Sequence, residues 1–195
     1  MSDTRDWEGK TGESWAQEYR RTDRSFGGLT ERLLAKTREF SFASVLDIGC
    51  GAGELSLAIA RGRQHVQVVG VDISEQLVEV ARNRGEHLLN VEFELGDAAA
   101  WTPPAEFRPE LLISRHGVMF FADPKAAFAH LADIAAPAAG LLFSCFRSPA
   151  ENELFSGLGA LLPPREVKPA PHSPGPLAFA DPGYVRSILE PAGWG

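Results

Sequence analysis

From Val45 onward, short apolar runs alternate with segments whose apolar residues recur every three or four positions. The runs SVLDIG, VQVVGVD, VEFELGD, LLISRHG and GLLFSCF read as five buried strands. Between them, GELSLAIARG, SEQLVEVARNRG and DPKAAFAHLADIAA carry helical spacing; in the last, Ala127, Phe128, Leu131 and Ile134 keep to one face. The helix ends are marked as well. Gly62 closes the first, Ser74 caps the second with Gly85 following as its C′ residue, and Asp123 caps the third with Pro124 at its first position. Strands joined by helices imply right-handed crossovers and a parallel sheet covered on both faces. The expected fold is therefore α/β, a Rossmann-like, doubly wound, mostly parallel sheet.

Two regions depart from this rhythm. Residues 1–40 predict two or three polar helices around ESWAQEYRR and LTERLLAKTREF, a helical cap beside a core spanning 41–147. Residues 148–195 predict a short apolar helix (ENELFSGLGALL), a proline-rich stretch and a last helix running from Asp181-Pro182 to near Glu190. The stretch PPREVKPAPHSPGPLAFADP is expected to be a loop or extended cover, because proline is excluded from helix interiors and central strands. No internal repeat is present, and 195 residues suit one domain.

Composition narrows the function classes. A formal net charge of −7 works against an extended nucleic-acid footprint, so no nucleic-acid partner is expected. Cys50 and Cys145 lie in different segments and form no spaced cluster, which predicts neither a disulfide framework nor a metal site and fits a reducing cytoplasm. The polar, acid-bearing start MSDTRDWEGKTGESW is expected to be neither a signal nor a transit peptide. No apolar run approaches the roughly 20 residues of a membrane span.

The candidate chemistry begins at VLDIGCGAG, where the first strand gives way to Gly49, Gly51 and Gly53 at the opening of a helix. In a doubly wound sheet this is the edge at which ligands bind. The spacing is G-x-G-x-G, not the G-x-G-x-x-G of dinucleotide sites, and Glu54 follows at once, where its carboxylate would compete with a phosphate for the helix amides. Asp72, at the end of the second strand, can accept hydrogen bonds from both hydroxyls of a ribose, and Asp97, after the third, from an adenine amino group. Asp47, near the loop, could complement an ammonium. A phosphate-free nucleoside with a cationic tail would satisfy all three.

This ordered set, VLDIGCGAG, GVDIS, ELGDAAA and LLISRHGVMFFADP, resembles the class I S-adenosylmethionine-dependent methyltransferases, in particular the small-molecule branch that includes quinone and sterol methyltransferases. The resemblance implies a strand order 3-2-1-4-5, an N-terminal helical lid, S-adenosylmethionine as cofactor with S-adenosylhomocysteine as product, and a small-molecule methyl acceptor. By the same resemblance, Gly49, Cys50, Gly51 and Gly53 would hold the methionine moiety with Asp47 nearby, and Asp72 with Ile73 the ribose. Gly96, Asp97 and Ala98 would hold the adenine, Ser114, Arg115 and His116 would border the transferable methyl, and Trp15 would bind the cofactor from the lid. Family members usually carry a Pro-Gly-Gly turn before the fifth strand, where PAAG stands here, and finish with a hairpin that adds two further strands. Because VRSILEPAGW resembles the helix leading into that hairpin, the last two strands are expected to be missing by truncation; otherwise strand five is an edge needing a homodimer mate or partner.

Several residues keep two readings. His116 suits a general base for a hydroxyl acceptor, or a histidine packed under the cofactor. Trp7, Trp15 and Tyr19 form a lid over the cofactor, or the apolar face of helices docked on the sheet. Cys50 fills a small buried space rather than acting as a nucleophile, and His65, His87, His130 and His172 read as surface or loop positions. The rival functions are a non-catalytic nucleoside-binding scaffold and an NAD-dependent oxidoreductase.

Overall fold

Five strands, β1 (Ser44–Ile48), β2 (Gln67–Asp72), β3 (Val91–Leu95), β4 (Leu111–Arg115) and β5 (Gly140–Ser144), form one sheet in the order β3-β2-β1-β4-β5. Every neighbouring pair is parallel. The computed structural model describes residues 7–161 and 170–195. The eight helices named here are α1 (Lys10–Gln17), α2 (Tyr19–Ser25), α3 (Gly27–Lys36), α4 (Glu54–Gly62), α5 (Glu75–Gly85), α6 (Pro124–Ile134), α7 (Glu153–Leu161) and α8 (Pro182–Leu189).

The apolar strand runs are continuous because both faces of the sheet are covered. Successive residues of β1 enter opposite cores: Val45 packs with Leu55 and Ile59 of α4 and Leu33 of α3, whereas Leu46 and Ile48 pack with Phe128 of α6 and Ile188 of α8. α3 thus belongs to the sheet's own core, and only α1 and α2 form a cap. No helix of the described residues is long and apolar enough to cross a membrane. Among the described residues, β5 pairs with no strand on its outer side.

The caps follow the sequence signals. Ser74 accepts from the Leu77 amide at 3.4 Å and Asp123 from the Ala126 amide at 3.1 Å, with Pro124 opening α6. Gly85 is a correction. It is the last residue of α5, followed by Glu86 in right-handed conformation, so it is no C′ residue. It is small for packing: a Cβ there would approach Leu57 to 3.0 Å and Phe93 to 3.1 Å. PAAG is a second finding, since Ala138 adopts φ 60°, a left-handed conformation that a glycine would adopt without strain. His130, half-buried on α6, is neither a surface nor a loop position and contacts the Trp101 carbonyl at 2.8 Å, whereas His172 is exposed in a loop, as expected, and stacks on Tyr184 at 3.6 Å. Part of the proline-rich stretch lies outside the described residues; from 170 to 180 it runs without helix or strand.

Candidate active site

β1 and β2 run in register, Asp47 opposite Gly70 and Ile48 opposite Val71, so the loops that follow them leave the sheet side by side. The amides of Gly49 and Cys50 both donate to the Val71 carbonyl, at 2.9 and 3.1 Å. Asp72 then clamps the loop: its carboxylate accepts from the amides of Gly51 at 2.8 Å and Ser74 at 2.9 Å. Gly51 has φ 55°, and a Cβ there would project into open space. The loop therefore presents bare main chain to the rim.

Two cavities open along this rim. The larger, about 300 Å³, is bounded by the glycine loop, Asp47, Asp72, Ile73, the post-β4 residues Arg115, His116 and Gly117, and aromatic residues of the cap. The smaller, about 80 Å³, is bounded by Asp72, Ile73, Gly96, Asp97, Ala98 and Phe121. They share Trp7, Gly49, Asp72, Ile73, Gly117 and Phe120, so the two lie side by side along the rim. Among the described residues, the Nε1 of Trp7 is buried at this shared wall without a hydrogen-bond partner.

Burial sets the charges of the site. Asp47 is almost wholly buried, and desolvation raises its pKa to about 6 although the Ser56 hydroxyl donates to it at 2.5 Å. Asp72 is raised by burial too, against the backbone amides that favour its ionised form. Burial, with Asp72 and Asp47 nearby, pushes the Cys50 thiol well above its ordinary value, so it is no nucleophile. His116 has φ 67°, an uncommon conformation for a residue with a side chain. Its ring lies 4.1 Å from that of Phe146 and edge-on to Phe26, and burial followed by the Arg115 charge holds its pKa near 4.

Twelve of the fourteen residues expected at the site line one cavity or both: Trp15, Asp47, Gly49, Cys50, Gly51, Asp72, Ile73, Gly96, Asp97, Ala98, Arg115 and His116. Gly53 and Ser114 line neither. Gly53 opens α4 with φ 82°, and a Cβ would meet Phe93 at 2.8 Å, so its smallness serves packing. Ser114 is fully buried; its hydroxyl donates to the Ile48 carbonyl at 2.7 Å and accepts from the amides of Gly117 and Val118. It joins the ends of β1 and β4 rather than facing a ligand.

Glu54 corrects the reasoning about phosphate. Its carboxylate is paired with Arg84 at 2.5 Å and lines neither cavity, so it does not compete for the loop amides. The acidity that opposes a phosphate comes instead from Asp47 and Asp72, which do face the larger cavity. Sequence reasoning also missed Asp23, in α2, which joins Arg84 at 3.1 Å and Arg115 at 3.3 Å and so ties the cap to the rim. Its pKa is raised, by burial first and the Glu54 charge next, while Arg84 and Arg115 pull it down. Nothing in the charged run RRTDRS distinguishes this aspartate from a solvated one. Trp7, Trp15 and Tyr19 all line the larger cavity, and Trp7 stands edge-on to Trp15 at 5.3 Å and to Phe120 at 5.1 Å. The aromatic face of the cap is turned to the rim.

A family profile described as a methyltransferase domain matches residues 45–138. The chain is 32% identical over 117 residues to a ubiquinone biosynthesis O-methyltransferase of Coxiella burnetii, covering 60% of this chain and 49% of the relative. It is 32% identical over 120 residues to a malonyl-[acyl-carrier protein] O-methyltransferase of Brevibacillus brevis, covering 60% of this chain and 43% of the relative. The chain thus spans about half the length of the curated relatives it matches. Among solved structures, the magnesium protoporphyrin IX methyltransferase of Synechocystis PCC 6803 with bound S-adenosylhomocysteine superposes with a TM-score of 0.60 at 21% identity, covering 88% of this chain and 73% of that one, a likeness of fold. Over residues 45–138 the chain is thus similar to the methyltransferase-domain family, and its sheet shares the fold of a methyltransferase of known structure.

Proposed function

We propose that this chain binds S-adenosylmethionine across the rim and transfers its methyl group to a small-molecule acceptor. The observation that carries the reading is the pair of adjoining cavities, with bare main chain and Asp47 at one and Asp97 at the other, sharing Asp72 between them. The donor set suits the cofactor: carboxylates at two strand tips for ribose and adenine, a buried carboxylate for the ammonium, and no basic cradle for phosphate. Gly51 leaves the space that a Cβ would otherwise occupy.

When bound, S-adenosylmethionine supplies a methyl on a cationic sulfur, which a nucleophile takes in line while the sulfur keeps the bonding pair as S-adenosylhomocysteine. The task left to the protein is alignment and exclusion of water, and orientation alone supplies about 7–11 kcal/mol in favourable cases. The cap does the excluding, held down through Asp23 to Arg115 and Arg84. With a pKa near 4, His116 is neutral at neutral pH and a weak base for a hydroxyl of pKa ~10. Its role here is to orient the acceptor, not to remove a proton.

Thermal melts test the reading. S-adenosylhomocysteine at about 100 times its Kd stabilises by about 2.7 kcal/mol, roughly 5–10 °C for a chain of this size. A shift with NAD and none with S-adenosylhomocysteine rejects it; a shift without turnover on a broad acceptor panel indicates a binding scaffold.

A further inference from the structure

We propose that the acceptor taken by the larger cavity is an uncharged, flat, ring-bearing molecule, and that carboxylate and phosphate acceptors are turned away. The inference rests on the methyltransferase reading and deepens it. Four rings form a continuous chain on the cavity wall. Phe26 lies edge-on to His116 at 5.2 Å, His116 lies 4.1 Å from Phe146, and Phe146 is edge-on to Phe155 at 5.0 Å. Such a wall favours a planar guest, which stacks or meets the rings edge-on.

The charges on the same wall oppose an anion. Asp23, Asp47 and Asp72 line the cavity, and Arg115 is the single Lys or Arg among its described lining residues. That guanidinium is already engaged, donating to Thr30 Oγ1 at 2.8 Å and to Asp23 at 3.3 Å. His116 is neutral and adds no charge. An anionic guest would give up its water and find no unengaged cation to replace it, whereas an uncharged one has no such penalty.

Two matched probes separate the cases on protein saturated with S-adenosylhomocysteine, whose own binding is first measured alone. At pH 7.5, 2-naphthol is uncharged and 2-naphthoate is an anion of similar shape. The expected result is that 2-naphthol binds at least tenfold more tightly, a difference of about 1.4 kcal/mol. Phe146→Ala weakens 2-naphthol at least fivefold and leaves S-adenosylhomocysteine affinity unchanged. Equal or tighter binding of 2-naphthoate, binding of neither probe, or 2-naphthol binding indifferent to Phe146→Ala overturns the inference. Failure of S-adenosylhomocysteine itself to bind would instead overturn the underlying function.

Discussion

The carboxylate of Asp72 accepts from the Gly51 amide at 2.8 Å, fastening the tip of β2 to the loop that leaves β1. Its other oxygen accepts from the Ser74 amide at the start of α5. The residue assigned to the ribose is therefore also the clamp that shapes the main-chain cradle. Asp72→Ala leaves two amides without their acceptor and is expected to cost about 1–3 kcal/mol as well as cofactor binding. Asp97 separates the two effects, because among the described residues the one partner of its carboxylate is the exposed-side Ala99 amide. Asp97→Ala is expected to keep stability within about 0.5 kcal/mol and to weaken S-adenosylhomocysteine several-fold, read by urea unfolding and calorimetry on each variant.

The loop glycines divide in the same way. Gly51 faces open space, so Gly51→Ala is expected to cost about 1–2 kcal/mol of left-handed strain and to reduce S-adenosylhomocysteine affinity more than tenfold. At Gly53 a Cβ would add a clash with Phe93 to the strain, and Gly53→Ala is expected to cost about 2–4 kcal/mol. Melting curves with and without ligand check both. A Gly51→Ala protein of undiminished affinity would remove the cradle from the account.

Asp47 gives the ligand-free protein a pH dependence. Its folded pKa, about 6, lies above the unfolded value, so the folded state holds the proton more tightly. The stabilisation is full below the unfolded pKa of ~3.9 and is lost as pH rises through 6. Between pH 4.5 and 7.5 the wild type is expected to lose about 2 kcal/mol relative to Asp47→Asn, measured by urea unfolding across that window. A ligand ammonium favours the ionised form, so S-adenosylhomocysteine affinity falls as pH drops below 6, and Asp47→Asn lessens that slope.

Ala138 stores strain at φ 60° in the turn before β5. Ala138→Gly relieves about 1–2 kcal/mol and returns about half of it as unfolded-chain entropy, a net gain of about 0.5–1 kcal/mol. A melting temperature higher by about 2 °C is the expected outcome.

The sheet was legible in the sequence because continuous apolar runs and helical spacing are one-dimensional signals, and strands buried on both faces make the first of them strong. The strand-tip acids were legible too, since strand order places them at one edge. What stayed hidden depends on contacts between distant segments. Gly85 and Gly53 resemble turn glycines until Phe93 is placed beside both. Ser114 belongs to a rim motif, yet its hydroxyl is used up by Ile48, Gly117 and Val118. The Asp23–Arg84–Glu54 network spans three helices, and no spacing rule connects them.

The central claim is a phosphate-free nucleoside site spanning the two cavities. Calorimetric titration of the chain with S-adenosylhomocysteine at pH 7.5, repeated with NAD as competitor, tests it most directly. Saturable binding at one site per chain, unmoved by millimolar NAD and weakened several-fold by Asp97→Ala, is the expected result. No heat of binding, or displacement of S-adenosylhomocysteine by NAD, would contradict it.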